Sequence, residues 1–99
     1  MTIYKCGNWT FVPDSQEIIY KDGRKEQLPA RVSNCLLTLI SGAEKTISYD
    51  ELLLKVWGTT HRDASTISSV ISEVRKLIGC GIDGKKVIIT IPKKGYRFS

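Results

Sequence analysis

Residues 65–78 place an apolar side chain at every third or fourth position. The apolar stripe consists of Ile67, Val70, Ile71, Val74, Leu77 and Ile78. This spacing predicts an amphipathic helix, whose stripe must pack against other elements of the same chain. Gly79 comes next and is suited to end the helix in a left-handed conformation. The chain has 99 residues, enough to bury a modest core as a single domain over residues 1–99.

The opposite face of this predicted helix is polar and rich in hydroxyl groups. It carries Ser65, Ser69, Ser72, Glu73 and Lys76, and it is flanked by Ser68 and Arg75. Serine is a poor residue for a helix interior, so helix stability alone does not explain this composition. Small hydroxyl side chains let a helix approach a surface closely and bond to base edges or phosphates. A neutral face turned to solvent is the alternative that the helix alone leaves open.

Two more amphipathic helices are predicted before this one. The first lies between residues 29 and 42, with its stripe at Val32, Cys35, Leu36, Leu39 and Ile40. The second opens with Ser48 and Glu51, which are spaced as a capping box in which each side chain satisfies a backbone amide. Its apolar positions are Leu52, Leu53, Val56 and Trp57, and Gly58 follows. We therefore expect Trp57 to lie in the core.

Short strands are predicted at both ends of the chain. Residues 9–12, 17–21 and 25–28 are rich in β-branched and aromatic residues or follow turn signals, which favours a small antiparallel sheet. After the third helix, residues 86–91 form a strongly apolar strand. Residues 92–95 make a turn, and residues 96–98 return as a second strand. Helices and antiparallel strands in this order predict an α+β fold.

The positive charge is concentrated in the second part of the chain. Residues 1–60 hold seven basic and seven acidic side chains, whereas residues 61–99 hold eight basic and three acidic ones, which supplies the whole net charge of +5. Lys93, Lys94 and Arg97 place positive charge at the protruding tip of the terminal hairpin. Such a tip can enter a minor groove or straddle phosphates. The alternative is an edge hairpin whose lysines prevent aggregation.

The sequence offers little for catalysis or metal binding. The three cysteines cannot all pair with one another and have no metal-site spacing, so we expect reduced thiols. The single histidine, His61, lies in a polar segment. Residues 79–84 fit G-x-G-x-x-G, but a helix precedes and a strand follows, the reverse of the dinucleotide-binding order. We expect no enzyme activity, metal, cofactor or small-molecule substrate. Without a signal peptide or an apolar run of ~20 residues, a cytoplasmic location is expected.

Three segments resemble a known family when taken in order. They are ELLLKVWG at residues 51–58, VISEVRKLIG at 70–79 and ITIPKKGYRF at 89–98. The chain resembles the OmpR/PhoB-type winged helix-turn-helix domains, and most of all their ToxR/CadC branch, over nearly all its residues. The resemblance implies a four-stranded N-terminal sheet, a three-helix core and a C-terminal β-hairpin wing. It also implies sequence-specific binding to double-stranded DNA as the effector domain of a bacterial transcription regulator.

The resemblance further implies where DNA is contacted. The third helix would lie in the major groove, with contacts at Ser65, Thr66, Ser69, Glu73 and Arg75, and the wing would add Thr90, Lys93 and Lys94. The segment at residues 59–63 corresponds to one that touches RNA polymerase in some relatives. The sequence leaves the dimer state open, with a dimer on DNA as one alternative. Receiver-linked relatives carry basic side chains on the recognition helix where this chain has serines and Glu73, so the resemblance does not predict the target sequence.

The resemblance leaves two alternatives open. In the ToxR/CadC branch this domain is usually followed by a membrane helix, so the chain would be the cytoplasmic part of a longer regulator; a free-standing small regulator is the alternative. Winged helices also serve as protein-interaction modules, because a fold does not fix a function. A module of that kind would tend to lose the basic residues of the wing.

Overall fold

The order of elements is that of a winged helix. The computed structural model describes residues 2–60, 64–79 and 87–98. The strands are β1 (Tyr4–Cys6), β2 (Trp9–Val12), β3 (Glu17–Tyr20), β4 (Lys25–Gln27), β5 (Thr46–Ser48), β6 (Ile88–Ile91) and β7 (Gly95–Phe98). The helices are α1 (Ala30–Ser41), α2 (Tyr49–Trp57) and α3 (Ala64–Ile78), and a 3-10 turn covers Pro13–Ser15. This confirms the predicted α+β class, with an N-terminal sheet, a helical core and a terminal hairpin.

The strands form two antiparallel sheets. The N-terminal sheet has the order β1-β2-β3-β4, and the second sheet has the order β5-β7-β6. In the second sheet β7 is the central strand, paired with β5 on one side and with β6 on the other. The hairpin β6–β7 is the predicted wing, and we use that name for residues 88–98. The sheets approach each other where the rings of Trp9 and Phe98 pack at nearly a right angle, with centroids 6.4 Å apart.

The core is built on the apolar stripes that the sequence predicts. Every predicted stripe residue of α1 is buried, and Cys35, Leu36 and Leu39 have no exposed surface. The stripe of α3 is buried at Ile67, Val70, Ile71, Val74 and Ile78, whereas Leu77 is half-buried at the edge. Because α1 packs against both α2 and α3, it holds the third helix with its polar face outward.

The helix ends follow the predicted capping signals. The Ser48 hydroxyl accepts a hydrogen bond from the Glu51 backbone amide at 3.1 Å, which satisfies a free amide at the start of α2. Gly58 ends α2 with a φ of 75°, and Gly79 follows α3 with a φ of 63°. Both glycines adopt the left-handed conformation that side chains with a Cβ disfavour. These caps fix both ends of α2 and the end of α3.

The prediction that Trp57 is a core residue is wrong. Trp57 is only partly buried, and the guanidinium of Arg31 lies over its ring at 5.6 Å from the centroid. Trp57 is the last residue of α2, and the buried positions of that helix are Leu52, Leu53 and Val56. The indole therefore packs on the edge of the core, where a cation covers its outer side.

Two strands were not predicted from residue patterns, namely β1 and β5. β1 extends the N-terminal sheet to the four strands that the family resemblance implies. β5 has only three residues and pairs with β7, about fifty positions away in the chain. The predicted strand start at Lys86 lies outside the described residues, and β6 is observed from Ile88. None of the helices in the described ranges is long and apolar enough to cross a membrane.

Candidate nucleic-acid interface

The polar face of α3 is exposed along its length. Ser65, Ser68, Ser69, Ser72, Glu73 and Lys76 are all exposed, and Thr66 is half-buried. The Ser69 hydroxyl donates to the Ser65 carbonyl at 3.2 Å, one helical turn earlier. A hydroxyl held in this way keeps its oxygen free to accept a hydrogen bond from outside. Over residues 65–72 the exposed side chains of this face are therefore small hydrogen-bonding groups, and the longer Glu73 and Lys76 follow towards the end of the helix.

The tip of the wing is a tight turn that carries two lysines. The Lys94 amide donates to the Ile91 carbonyl at 3.1 Å, and Lys93 has a φ of 64°. Proline at the second position and a positive φ at the third are the features of a type II turn, which favours glycine at the third position. Both lysines are exposed, and neither forms an ion pair in the part of the chain that the structure describes. Their charges are available to an external anion.

The base of the wing is held close to β5 and the start of α2. The Lys94 carbonyl accepts a hydrogen bond from the Tyr49 amide at 3.3 Å. A Cβ atom built on Gly95 would lie 1.9 Å from the Ile47 carbonyl oxygen, so only glycine permits this approach of the two strands. The base of the turn is therefore fixed to the core, although the lysine side chains project from it.

Arg75 links α3 to the wing. Its Nη2 donates to the Ile88 carbonyl at 2.9 Å and to the Thr90 hydroxyl at 3.0 Å. Its guanidinium also lies 5.8 Å from the centroid of the Tyr96 ring. The sequence placed Arg75 and Thr90 among the DNA-contacting positions, and the structure brings them together, bonded to each other.

Tyr96 is a residue of this site that the sequence reasoning missed. Its ring meets that of Tyr49 edge-on at 5.8 Å, and its hydroxyl lies 3.4 Å from the Ser68 hydroxyl. The available signal was the alternation of the last strand, since Tyr96 and Phe98 are buried on one face while Arg97 lies on the other. Tyr96 thus connects the start of α2, the polar face of α3 and the wing.

Arg97 lies away from the tip at which the sequence placed it. It is in the central strand β7, opposite Thr46 on one side and Ile89 on the other. Because neighbouring strands flank it, Arg97 is half-buried, and it is on the sheet face opposite Tyr96. The structure therefore groups Lys93 and Lys94 at the tip and separates Arg97 from them.

The electrostatic balance of the site is positive. Among residues 64–79 and 87–98, Glu73 is the only acidic side chain, against five basic ones: Arg75, Lys76, Lys93, Lys94 and Arg97. Since Glu73 is exposed on α3 itself, a polyanion bound there would meet one negative charge among the hydroxyl groups. This favours a ligand that offers hydrogen-bond donors beside its phosphates.

The cysteines and possible metal ligands add nothing to this surface. Burial raises the pKa of Cys35 to about 12, so its thiol stays neutral, and burial also raises the pKa of Cys6. No group of three or more histidine, cysteine or acidic side chains is arranged to hold a metal ion in the ranges that the structure covers. Cys80, His61 and residues 61–63 of the predicted polymerase-contacting segment lie outside the described residues.

Comparison with known proteins identifies similar domains. The family model described as "Transcriptional regulatory protein, C terminal" matches residues 23–98. Over 96 residues the chain is 28% identical to the transcriptional activator CadC of Escherichia coli K12 and 30% identical to the aerobic respiration control protein ArcA of the same strain. These residues are 96% of this chain in both cases, but only 19% and 40% of the two relatives. The chain therefore spans less than half the length of either relative.

Solved structures agree with these sequence matches. The DNA-binding domain of E. coli CadC superposes with a TM-score of 0.82 at 26% identity, covering 100% of this chain and 92% of that one. The RstA DNA-binding domain of Klebsiella pneumoniae, solved in complex with the RstA box, gives a TM-score of 0.81 at 25% identity. That match covers 100% of this chain and 98% of the RstA chain.

Proposed function

This chain belongs to the family of C-terminal domains of transcriptional regulatory proteins, and we propose that it binds double-stranded DNA sequence-specifically as the effector domain of a bacterial transcription regulator. The observation that carries the proposal is the presence of two surfaces joined by Arg75: the exposed hydroxyl face of α3, and the wing lysines, which form no ion pair among the described residues. Residues 1–99 would act as one domain, and the family is one of regulator domains and not of enzymes.

In this proposal α3 enters the major groove. The groove is wide enough to admit a helix, and short side chains allow close approach to base edges. Ser65, Ser69 and Ser72 would bond to bases or phosphates, since a hydroxyl both donates and accepts. Glu73 would accept a hydrogen bond from the exocyclic amine of cytosine. Lys76, near the end of the helix, would lie close to the phosphate backbone.

The wing would supply affinity more than sequence preference. Lys93 and Lys94 are flexible point charges, and a lysine near phosphates releases counterions without reading the bases. A minor groove of strongly negative potential would attract the same two side chains. The division of roles therefore assigns base reading to α3 and backbone attraction to the wing tip.

The proposal extends to the protein of which this domain would be a part. The domain would work in the cytoplasm, where the chromosome lies, with a dimer formed on DNA. Thr59 and Thr60 begin the segment 59–63 that would contact RNA polymerase. A membrane helix and a sensor after this domain would follow the pattern of the ToxR/CadC branch that the chain resembles.

Selection from a pool of random-sequence duplexes tests the proposed function. Duplexes bound by the chain would be recovered, amplified and sequenced, and we expect one motif to be enriched. Glu73→Ala and Ser69→Ala should each change the preference at one or two base pairs by ~1–3 kcal/mol, while affinity for random sequence stays nearly the same. Glu73→Ala should raise the random-sequence affinity, if it changes at all, because it removes a charge that repels phosphate.

Glu26→Ala is the matched control, since Glu26 is an exposed carboxylate on β4 of the N-terminal sheet. It should leave the enriched motif unchanged. If the unaltered chain bound no duplex at any salt concentration, the DNA-binding function would be refuted. The fold would then be used as a protein-interaction module.

A further inference from the structure

The Arg75 side chain forms a bridge from α3 to strand β6. We propose that Arg75 is a positioning residue, which fixes the wing relative to α3, and that it does not itself contact DNA. The inference rests on the proposed function, because it concerns how the two DNA-facing surfaces are held together. It differs from the role that the family resemblance implies for this position.

The guanidinium of Arg75 is held by hydrogen bonds to acceptors within the protein. One nitrogen, Nη2, serves both the Ile88 carbonyl and the Thr90 hydroxyl, at 2.9 Å and 3.0 Å. Bonds from a charged donor are roughly twice as strong as neutral ones. The Nε atom is buried and has no partner in the described ranges, so two of the three guanidinium nitrogens, Nε and Nη2, face the protein. Turning Nη2 towards a phosphate would break both hydrogen bonds and move the guanidinium away from the Tyr96 ring.

The acceptor on β6 explains why an arginine is needed there. In the order β5-β7-β6, strand β6 lies at the edge of the sheet and has a strand neighbour on one side only. An edge strand leaves alternate backbone groups without a partner in the sheet. Arg75 satisfies one of these, the Ile88 carbonyl, from a helix thirteen residues earlier in the chain. The second acceptor, Thr90, lies two residues closer to the wing tip.

This bridge controls the position of the lysines. Strand β7 is held by its pairing with β5 and, at the preceding Lys94, by a hydrogen bond from the Tyr49 amide. Strand β6 is held by its pairing with β7 and by the hydrogen bonds from Arg75. Lys93 and Lys94 follow β6 directly, so a shift of β6 moves the turn that carries them. With β6 fixed, α3 and the wing tip meet a duplex as one pre-arranged surface, and no binding free energy is spent on ordering the wing.

Hydrogen exchange on the free protein tests the bridge without DNA. Arg75→Gln should speed amide exchange in residues 88–91 at least about tenfold, because the local opening of β6 becomes easier. Lys76→Gln removes a positive charge from the neighbouring position and should leave exchange in β6 unchanged. Thr90→Val, which removes one acceptor and keeps the shape, should give a smaller increase. Equal exchange in β6 for Arg75→Gln and the unaltered chain would show that no bridge exists.

DNA binding then separates positioning from direct contact. On a labelled random-sequence duplex, Arg75→Gln should weaken binding about tenfold. Arg75→Lys should not restore it, because a flexible ammonium lacks the planar head group that lies by the Tyr96 ring and holds one nitrogen between the two acceptors. In a chain already carrying Lys93→Ala and Lys94→Ala, the further loss from Arg75→Gln should fall below about twofold, since residues that act through one another are not additive. Lys76→Gln should weaken binding by the same factor in both backgrounds.

The outcomes distinguish this inference from the proposed function. Restoration of affinity by Arg75→Lys, or full additivity of Arg75→Gln with the wing variants, would make Arg75 a direct phosphate contact and overturn the inference alone. Failure of the unaltered chain to bind any duplex would overturn the proposed function, and with it the role assigned to Arg75. Far-UV circular dichroism at the assay temperature confirms that each variant is folded before it is compared.

Discussion

Two hairpins of the molecule are hydrogen-bonded to α3, and they differ in charge: one is neutral overall and the other carries a net positive charge. The N-terminal hairpin is β3–β4, Glu17–Gln27, and the C-terminal one is the wing, Ile88–Phe98. Tyr20 of the first donates its hydroxyl to the Leu77 carbonyl at 2.6 Å, which satisfies a carbonyl in the last turn of α3. The wing is tied to the same helix by Arg75. Both hairpins are therefore part of the frame that holds α3.

The N-terminal hairpin neutralises its own charges. Residues 17–27 hold three acidic and three basic side chains. At the turn, Arg24 pairs with Asp22 at 2.8 Å and stacks over the Tyr20 ring at 4.8 Å. Hydrogen bonds from the backbone and side chain of Arg24 lower the pKa of Asp22. The charged groups of this turn thus have partners inside the protein.

The wing has no such compensation. Residues 87–98 hold three basic side chains and no acidic one. Lys93 and Lys94 are exposed without an ion pair in the described part of the chain. The first hairpin balances its charges and pairs the two at its turn, whereas the second leaves two lysines without an ion pair among the described residues. We therefore expect the first to act as a structural support and the second as a binding element.

The largest expected effect concerns the glycines of the two hairpins. Gly95→Ala should lower the free energy of unfolding by about 3 kcal/mol, because its Cβ would collide with the Ile47 carbonyl and force the strands apart. Gly23 has a φ of 92° and open space around it, so Gly23→Ala should cost only about 1–2 kcal/mol of backbone strain. Urea denaturation of both variants measures the two losses. Equal losses would show that β5 and β7 are not in close contact.

The second prediction compares pairs of lysines. The double variant Lys93→Ala, Lys94→Ala should weaken binding to cognate and random duplexes alike, by about tenfold at low salt, and reduce the slope of log K against log salt by about one to two units. The matched pair Lys21→Ala, Lys25→Ala removes the same charge from the N-terminal hairpin. It should leave the slope unchanged. If both pairs reduced the slope equally, the two hairpins would not differ in function.

The third prediction concerns the tie between the N-terminal hairpin and α3. Tyr20→Phe removes the hydroxyl that donates to Leu77 and should lower the free energy of unfolding by about 1 kcal/mol, the usual net value of such a bond. DNA affinity at a temperature where the variant is folded should stay the same, since the polar face of α3 is not altered. Chemical denaturation and a duplex titration measure the two quantities. A loss of affinity without a loss of stability would give this hairpin a direct part in binding.

The sequence predicted the elements whose signal is local. The stripe of α3, the cap at Ser48 and the glycine after each helix depend on neighbours within four positions, and the structure confirms them. Strand β5 could not be found in this way, because three residues become a strand only through pairing with β7 far along the chain. The hydrogen bond between Arg75 and Thr90 could not be predicted for the same reason, because it joins residues that are far apart in the chain. The helical wheel showed which way Arg75 faces, but not that β6 would lie beside it.

The smallest expected effect tests whether the wing tip is built for binding at the expense of stability. Lys93 has a φ of 64°, where glycine avoids a strain of about 1–2 kcal/mol but loses more conformational entropy on folding. Lys93→Gly should therefore raise the free energy of unfolding by about 0.5–1 kcal/mol and still weaken DNA binding. Gln16, with a φ of 54° just before the N-terminal hairpin, is the control. Gln16→Gly should bring a similar gain in stability and no change in affinity. Thermal or urea unfolding together with a duplex titration measures both effects. If the Lys93→Gly variant kept full affinity, Lys93 would have no part in binding, and Lys94 would be the one lysine of the tip that contributes.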